Sequence, residues 1–220
     1  MSSVTKRKTY DAGCRQCPRL ASFLDDVRDT HPDYFAAPVP AFGDNNARLL
    51  IVGLAPGYHG ANRTGRPFTG DYAGILLYKT LHTLGLSTQP QSLSASDDLR
   101  LLGCRITNAV KCLPPANKPV GLEIRTCNQF LSAELDADPA ITVILALGKI
   151  AHDAVLRSKG LTLSACKFAH GAEHQLPGGG LLVDSYHCSR YNTQTKRLTE
   201  PMFVDVVSRA KDLADLIGRV

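Results

Sequence analysis

No apolar run in the 220-residue sequence approaches the length of a membrane span, which argues against a transmembrane helix and a membrane partner. The amino-terminal MSSVTKRKTY is positively charged with no apolar segment behind it, so a secretory signal is not expected. No internal repeat is visible, which sets aside solenoids and propellers. The polar stretch 89–98 and the Pro-rich stretch 36–42 are too short to be inter-domain linkers. The length suits one domain with a sizeable core. The expectation is a cytoplasmic protein with a single domain over residues 1–220.

The net charge is +5. That excess is modest, yet it permits a polyanionic partner, because Lys and Arg that neutralise phosphates release counterions. Arg63, Arg66, Lys111, Lys118, Arg190, Lys196 and Arg197 lie in or beside the segments singled out below. Seven cysteines is an odd number. Without an export signal, reduced thiols or metal ligands are expected rather than disulfides.

Four short runs rich in aliphatic and β-branched residues read as strands: 49–54 (LLIVGL), 104–110 (CRITNAV), 141–147 (ITVILAL) and 181–186 (LLVDSY). Their continuous hydrophobicity suits strands covered on both faces, as in a parallel sheet. Apolar residues at helical spacing occupy 72–84, 122–135, 149–156 and 202–217. Strands alternating with helices make an α/β layered fold. Ligands are expected where its strands end and loops begin.

Cys14 and Cys17 form a C-x-x-C pair, Cys112 follows the second strand, and Cys127 falls in the next helix. A C-x-x-C pair binds metal, does redox chemistry, or does neither. Four thiolates would suit zinc or an iron–sulfur cluster, although the spacing is not the two short pairs of a zinc finger. The competing reading makes Cys112 and Cys127 small core hydrophobes, and that reading is preferred for Cys104, Cys166 and Cys188.

After the first strand, residues 55–71 (APGYHGANRTGRPFTGD) form a long loop whose glycines let backbone approach a ligand closely. It lacks both the P-loop pattern and G-x-G-x-x-G, so nucleotide cofactors are unsupported. Phe68 is a candidate stacking platform and Asp71 a candidate carboxylate for water or cation chemistry. The competing reading is a solvated surface loop.

GLAPGYHGANRTGRPFTGD (53–71), ITNAVKCLPPANKP (106–119) and HCSRYNTQT (187–195), with the four cysteines, resemble the iron–sulfur uracil-DNA glycosylases. Within that superfamily the sequence is most similar to the fifth family, type B, whose first motif, G-L-A-P-x-x-H-G-x-N-R-T-G-R, stands at 53–66. The resemblance runs from Cys14 to about Arg197. It implies a three-layer α/β/α sandwich around a central, mainly parallel four-stranded sheet. It also implies a [4Fe–4S] cluster held by Cys14, Cys17, Cys112 and Cys127. The implied activity is base excision repair: uracil, and other deaminated bases such as hypoxanthine, would be flipped from double- or single-stranded DNA and cut at the N-glycosidic bond, leaving an abasic site. No lysine stands out as a Schiff-base nucleophile, which agrees with a monofunctional glycosylase. A monomer is the expected form.

By this resemblance Gly53, Leu54 and Ala55 border the base pocket and Phe68 stacks on the flipped base. Asn108 reads the pairing edge, with a carboxamide suited to uracil O4 and N3–H. His187 donates to O2 as charge develops there, and Asp71 orients water or stabilises the cationic sugar. Outside the family pattern Asn108 and His187 would read as polar strand-end residues; the H-x-S-x-x-N match favours the catalytic reading. Arg63, Ser189, Arg190, Tyr191 and Asn192 are the expected DNA contacts. Arg190 and Tyr191 would fill the gap left by the flipped base, and Ser189, Asn192 and Thr193 would bind flanking phosphates. His59 and Asn62 belong to the motif without an assigned role. Two departures stand out: Leu54 occupies the position of a Glu in the fourth family and can neither activate nor hold water, and Cys188 replaces the usual proline of H-P-S. A non-catalytic DNA-binding module and a redox or metal-storage protein are the rival readings; the second leaves the Gly/Arg loop without a purpose.

Overall fold

The computed structural model describes residues 8–217. Its sheet is built from β1 (Phe42–Gly43), β2 (Leu49–Gly53), β3 (Cys104–Asn108), β4 (Val143–Leu147), β5 (Glu173–Gln175) and β6 (Leu181–Ser185), in the order β1-β3-β2-β4-β6-β5. The four expected strands are the parallel centre, β3-β2-β4-β6. The sheet nevertheless has six strands rather than four, because β1 and β5 add antiparallel edges. Both additions are short, and β5 (Glu-His-Gln) has no apolar pattern. An edge strand needs only a neighbour's free backbone groups, which hydrophobicity does not record.

Every residue of β2, β4 and β6 is buried, for a reason visible in the pleat. Leu49 and Ile51 of β2 point to one core, with Leu145 and Val183. Leu50 and Val52 point to the other, with Ile144, Ala146 and Leu182. Alternate side chains of a strand face opposite sides, so two covered faces give an unbroken apolar run. The first core is closed by α3 (Tyr72–Thr83) and α7 (Glu200–Ile217), the second by α4 (Gly121–Ala137) and α5 (Lys149–Ser158). This is the expected α/β/α layering.

Three further α-helices, α1 (Pro18–Thr30), α2 (Ala61–Thr64) and α6 (Arg190–Gln194), and a 3-10 turn at Pro115–Asn117 complete the elements of the described residues. α1 lies outside the helices expected from the sequence. It buries Leu20, Ala21, Leu24 and Val27 on one stripe, and Pro18 sits in its first turn, where a missing N–H leaves no bond unmade. Among the described residues no helix is long and apolar enough to cross a membrane. The chain passes from β2 to β3 on one side, then returns to place β4 on the other side of β2. The carboxyl ends of β2 and β4 therefore flank a topological switch point, where a crevice opens.

Candidate active site at the switch point

A cavity of about 500 Å³ occupies that crevice. Its walls come from the ends of all four parallel strands: Leu54 and Ala55 after β2, Asn108 at the end of β3, Leu147 at the end of β4 with Gly148 after it, and His187 after β6. The 55–71 loop supplies Phe68 and Asp71, and the last loop adds Ser189 and Arg190.

The register of the sheet brings the central residues together. Gly53 pairs with Asn108 across β2 and β3. A Cβ built on Gly53 would collide with Asn108 Oδ1 and come within 2.6 Å of the Phe68 ring. Both side chains thus converge over one glycine. The Phe68 and His187 rings lie 6.0 Å apart between centroids at 28°, nearly parallel. Phe68 adopts φ 54°, a left-handed conformation unusual for an aromatic residue, and is 6% exposed. Such strain persists where the surroundings hold it. Gly74 makes room for it, since a Cβ at that position would strike the Phe68 carbonyl oxygen.

Asn108 is 3% exposed, and its Oδ1 has no hydrogen-bond partner. Leaving a buried acceptor unpaired costs about 1–3 kcal/mol, so an orphan lining a cavity marks where a ligand donor belongs. Asp71 is the N-cap of α3, with Oδ1 accepting from the Gly74 N–H at 2.8 Å. Its other oxygen lies against Gly57 and Gly60, whose missing side chains make the room. Burial raises the Asp71 carboxyl above its ordinary range, opposed by the Gly74 and Ala73 N–H groups. Burial pushes His187 down to about 4, so its imidazole is neutral at pH 7.

The H-x-S-x-x-N pattern has a mechanical basis. The Asn192 amide donates to the His187 carbonyl at 2.8 Å, and Ser189 caps α6 by accepting from the Asn192 N–H. Arg190 stacks over Tyr72 at 5.0 Å, and Tyr191 projects into solvent, 71% exposed. Arg63 lies on the surface outside the cavity wall, its Nε donating to the His59 carbonyl at 2.8 Å. His59 in turn bonds Tyr34, and the Asn62 amide donates to the Tyr58 carbonyl. These motif residues build the loop.

Two of the basic residues noted in or beside the motif segments are internal. Arg66 is buried against Asp97, Ser92 and the Ala95 carbonyl, and Lys111 is buried against Glu134 and Thr107. Sequence shows their charge but not a partner more than twenty residues away. Gly148, Asn117 and Tyr72 line the cavity without having been singled out. Asn117 carried a signal as part of the 106–119 motif, and Gly148 as a glycine between an apolar strand and a helix; in the structure Gly148 has φ 94° and a Cβ there would press on His187.

Cys14, Cys17, Cys112 and Cys127 line one small cavity together with the apolar Leu20, Ala21 and Phe130. Cys17 is the N-cap of α1, Cys127 lies on α4, and Cys112 is in the loop after β3. The Lys111 N–H donates to Cys127 Sγ at 3.3 Å. Four free thiols facing one apolar pocket, with a backbone donor on one sulfur, are a donor set that fits a thiolate-bound cluster.

Comparison with known proteins identifies the family of the chain. Residues 40–211 match the model of the uracil DNA glycosylase superfamily. A type-5 uracil-DNA glycosylase of Thermus thermophilus is 52% identical over 92% of this chain and 94% of its own. One from Mycobacterium bovis is 44% identical over 97% and 83%, and one from Pyrobaculum aerophilum 42% identical over 94% of each. On identity, coverage and the arrangement of its motifs, this chain belongs to the uracil DNA glycosylase superfamily.

Proposed function

We propose that this protein excises uracil from DNA by hydrolysing the N-glycosidic bond, as the first step of base excision repair. The observation that carries the reading is the orphaned Oδ1 of buried Asn108, beside Phe68 and His187 in one cavity. A target base inside a duplex is out of reach and must be flipped, at a cost of a few kcal/mol. The Phe68 ring replaces lost stacking, worth about 1–3 kcal/mol. Asn108 Oδ1 accepts from N3–H while its amide donates to O4. Cytosine has no N3–H and leaves that acceptor unpaired, which is the basis of rejection.

As the glycosidic bond lengthens, negative charge gathers on the base and positive charge on the sugar. Neutral His187 donates a hydrogen bond to O2 and stabilises the leaving anion without transferring a proton. Asp71 presents its uncapped oxygen to the attacking water and the cationic sugar. Tyr191 and Arg190 enter the helix where the base has left, and Arg63, Ser189 and Asn192 face the backbone. A [4Fe–4S] cluster on Cys14, Cys17, Cys112 and Cys127 would brace α1 against α4 and the loop that carries Asn117 to the pocket. The apolar wall at Leu54 and the breadth of the cavity support activity on deaminated purines such as hypoxanthine as well. Seven free cysteines support a cytoplasmic site of action.

The test is single-turnover excision on duplexes with U·G, U·A or hypoxanthine·T and on single-stranded uracil DNA, read as alkali-labile breaks. The expected result is cleavage at uracil, slowed about 100-fold by Asn108→Ala, the value of one buried hydrogen-bond pair. No break on any substrate, or an Asn108→Ala protein as fast as the unaltered one, overturns the reading.

A further inference from the structure

Outside the lining of the base pocket, three side chains meet between α5 and the β5–β6 edge. His152 and Asp184 have no solvent exposure, and the His174 side chain is 15% exposed. His152 Nδ1 lies 2.8 Å from Asp184 Oδ1, and His174 Nε2 lies 3.1 Å from Asp184 Oδ2. One ligand atom from each falls within 4.8 Å of the others. The outer nitrogen of His152 faces the Cys166 carbonyl at 3.2 Å, and Phe168 covers the ring edge-on at 5.5 Å.

A carboxylate held wholly away from water is stable only when it is hydrogen-bonded, ion-paired or bound to a metal. Two imidazole nitrogens and a carboxylate oxygen are the donors that borderline divalent metals prefer. In the tautomer whose Nε2–H donates to the Cys166 carbonyl, His152 Nδ1 turns its lone pair toward Asp184, as a metal ligand must. We propose that His152 Nδ1, His174 Nε2 and the Asp184 carboxylate form a structural site for a divalent metal of the zinc class, with its open position on the partly exposed His174 side. Binding releases to solvent any imidazole proton held at the two coordinating nitrogens. Asp184 stands three residues before His187, and His152 four residues after Gly148. The metal would therefore tie β5, β6 and α5 together directly beneath the His187 loop without touching substrate.

The experiment loads the cluster-containing protein with zinc, removes loosely held metal, and measures zinc and iron per chain together with zinc K-edge absorption. The expected result is one zinc per chain with unchanged iron, a coordination shell of two imidazoles and oxygen with no sulfur, and a thermal midpoint raised by about 5 °C. His174→Ala, at the more exposed corner, should lose the zinc and the thermal shift while keeping its iron. Three results overturn the proposal: no retained zinc at about 100 μM free metal, a shell with two or more sulfurs, or undiminished zinc in His174→Ala. The first two are read on the unaltered chain and do not depend on how any variant folds.

Discussion

Gly53→Ala adds one methyl group and should disable the site. The backbone at Gly53 is ordinary extended strand, so Ala brings no conformational strain of its own. What it brings is contact: its Cβ would meet the Phe68 ring at 2.6 Å and overlap Asn108 Oδ1. Relief requires a shift of about 1 Å, since carbon atoms rest at about 3.5–4.0 Å. β2 cannot supply the shift, because it is hydrogen-bonded on both sides by β3 and β4. Phe68 cannot easily recede either, because its ring is buried in the core and its carbonyl already lies close against Gly74. Overpacking of this kind costs about 1–3 kcal/mol, which for a chain of this size lowers the thermal midpoint by about 2–12 °C. The larger effect falls on chemistry, where a misplacement of about 1 Å reduces rate about 100-fold. The assay is single-turnover uracil excision at a temperature where circular dichroism shows the variant fully folded. A folded Gly53→Ala protein with unchanged rate would refute the convergence of Asn108 and Phe68 on this residue.

The depressed His187, near 4, predicts an excision rate with no inflection near pH 6.5, because the imidazole is neutral on both sides of that value. The same shift predicts stability that rises between about pH 4 and 6.5, since the unfolded chain binds the His187 proton there and the folded chain does not; His187→Ala should flatten that component in pH-dependent melts. Tyr191→Ala should leave the thermal midpoint within about 1 °C, as surface substitutions do, yet slow excision from U·A duplex several-fold more than from single-stranded DNA, because only the duplex needs a wedge. Equal slowing on both substrates would remove Tyr191 from that role.

Much of the fold was legible because burial on two faces writes itself into sequence. The apolar runs at 49–54 and 141–147 read as strands covered on both faces, and both lie at the centre of the sheet. β1 and β5 were not legible, because their stability comes from a neighbour's backbone and not from their own side chains. At the site, residue types were legible through the motifs but their convergence was not. That Phe68 and Asn108 meet over Gly53 depends on the β2–β3 register, which pairs residues 53 and 108, and on a positive φ at Phe68 that no pattern announces. Arg66 and Lys111 show the same limit from the other side, as charges whose partners, Asp97 and Glu134, only folding reveals.

The apolar Leu54 leaves the question of what handles water, and the geometry lets one substitution isolate Asp71's charge. Asp71 has two tasks on two oxygens: Oδ1 caps α3, and Oδ2 rests against Gly57 and Gly60. Asn caps a helix about as well as Asp, so Asp71→Asn keeps the first task and deletes the charge. Burial disfavours the Asp71 carboxylate, so removing it should leave the thermal midpoint unchanged or higher. If the charge faces the developing sugar cation, the rate should fall about 100- to 1,000-fold, the usual effect of losing one preorganised electrostatic partner. A purely structural Asp71 predicts the reverse pattern, with rate preserved in the Asn variant and lost, along with stability, in Asp71→Ala. A stable, cap-competent Asp71→Asn protein with full activity would therefore remove the carboxylate from the chemistry and leave His187 and the pocket to carry it.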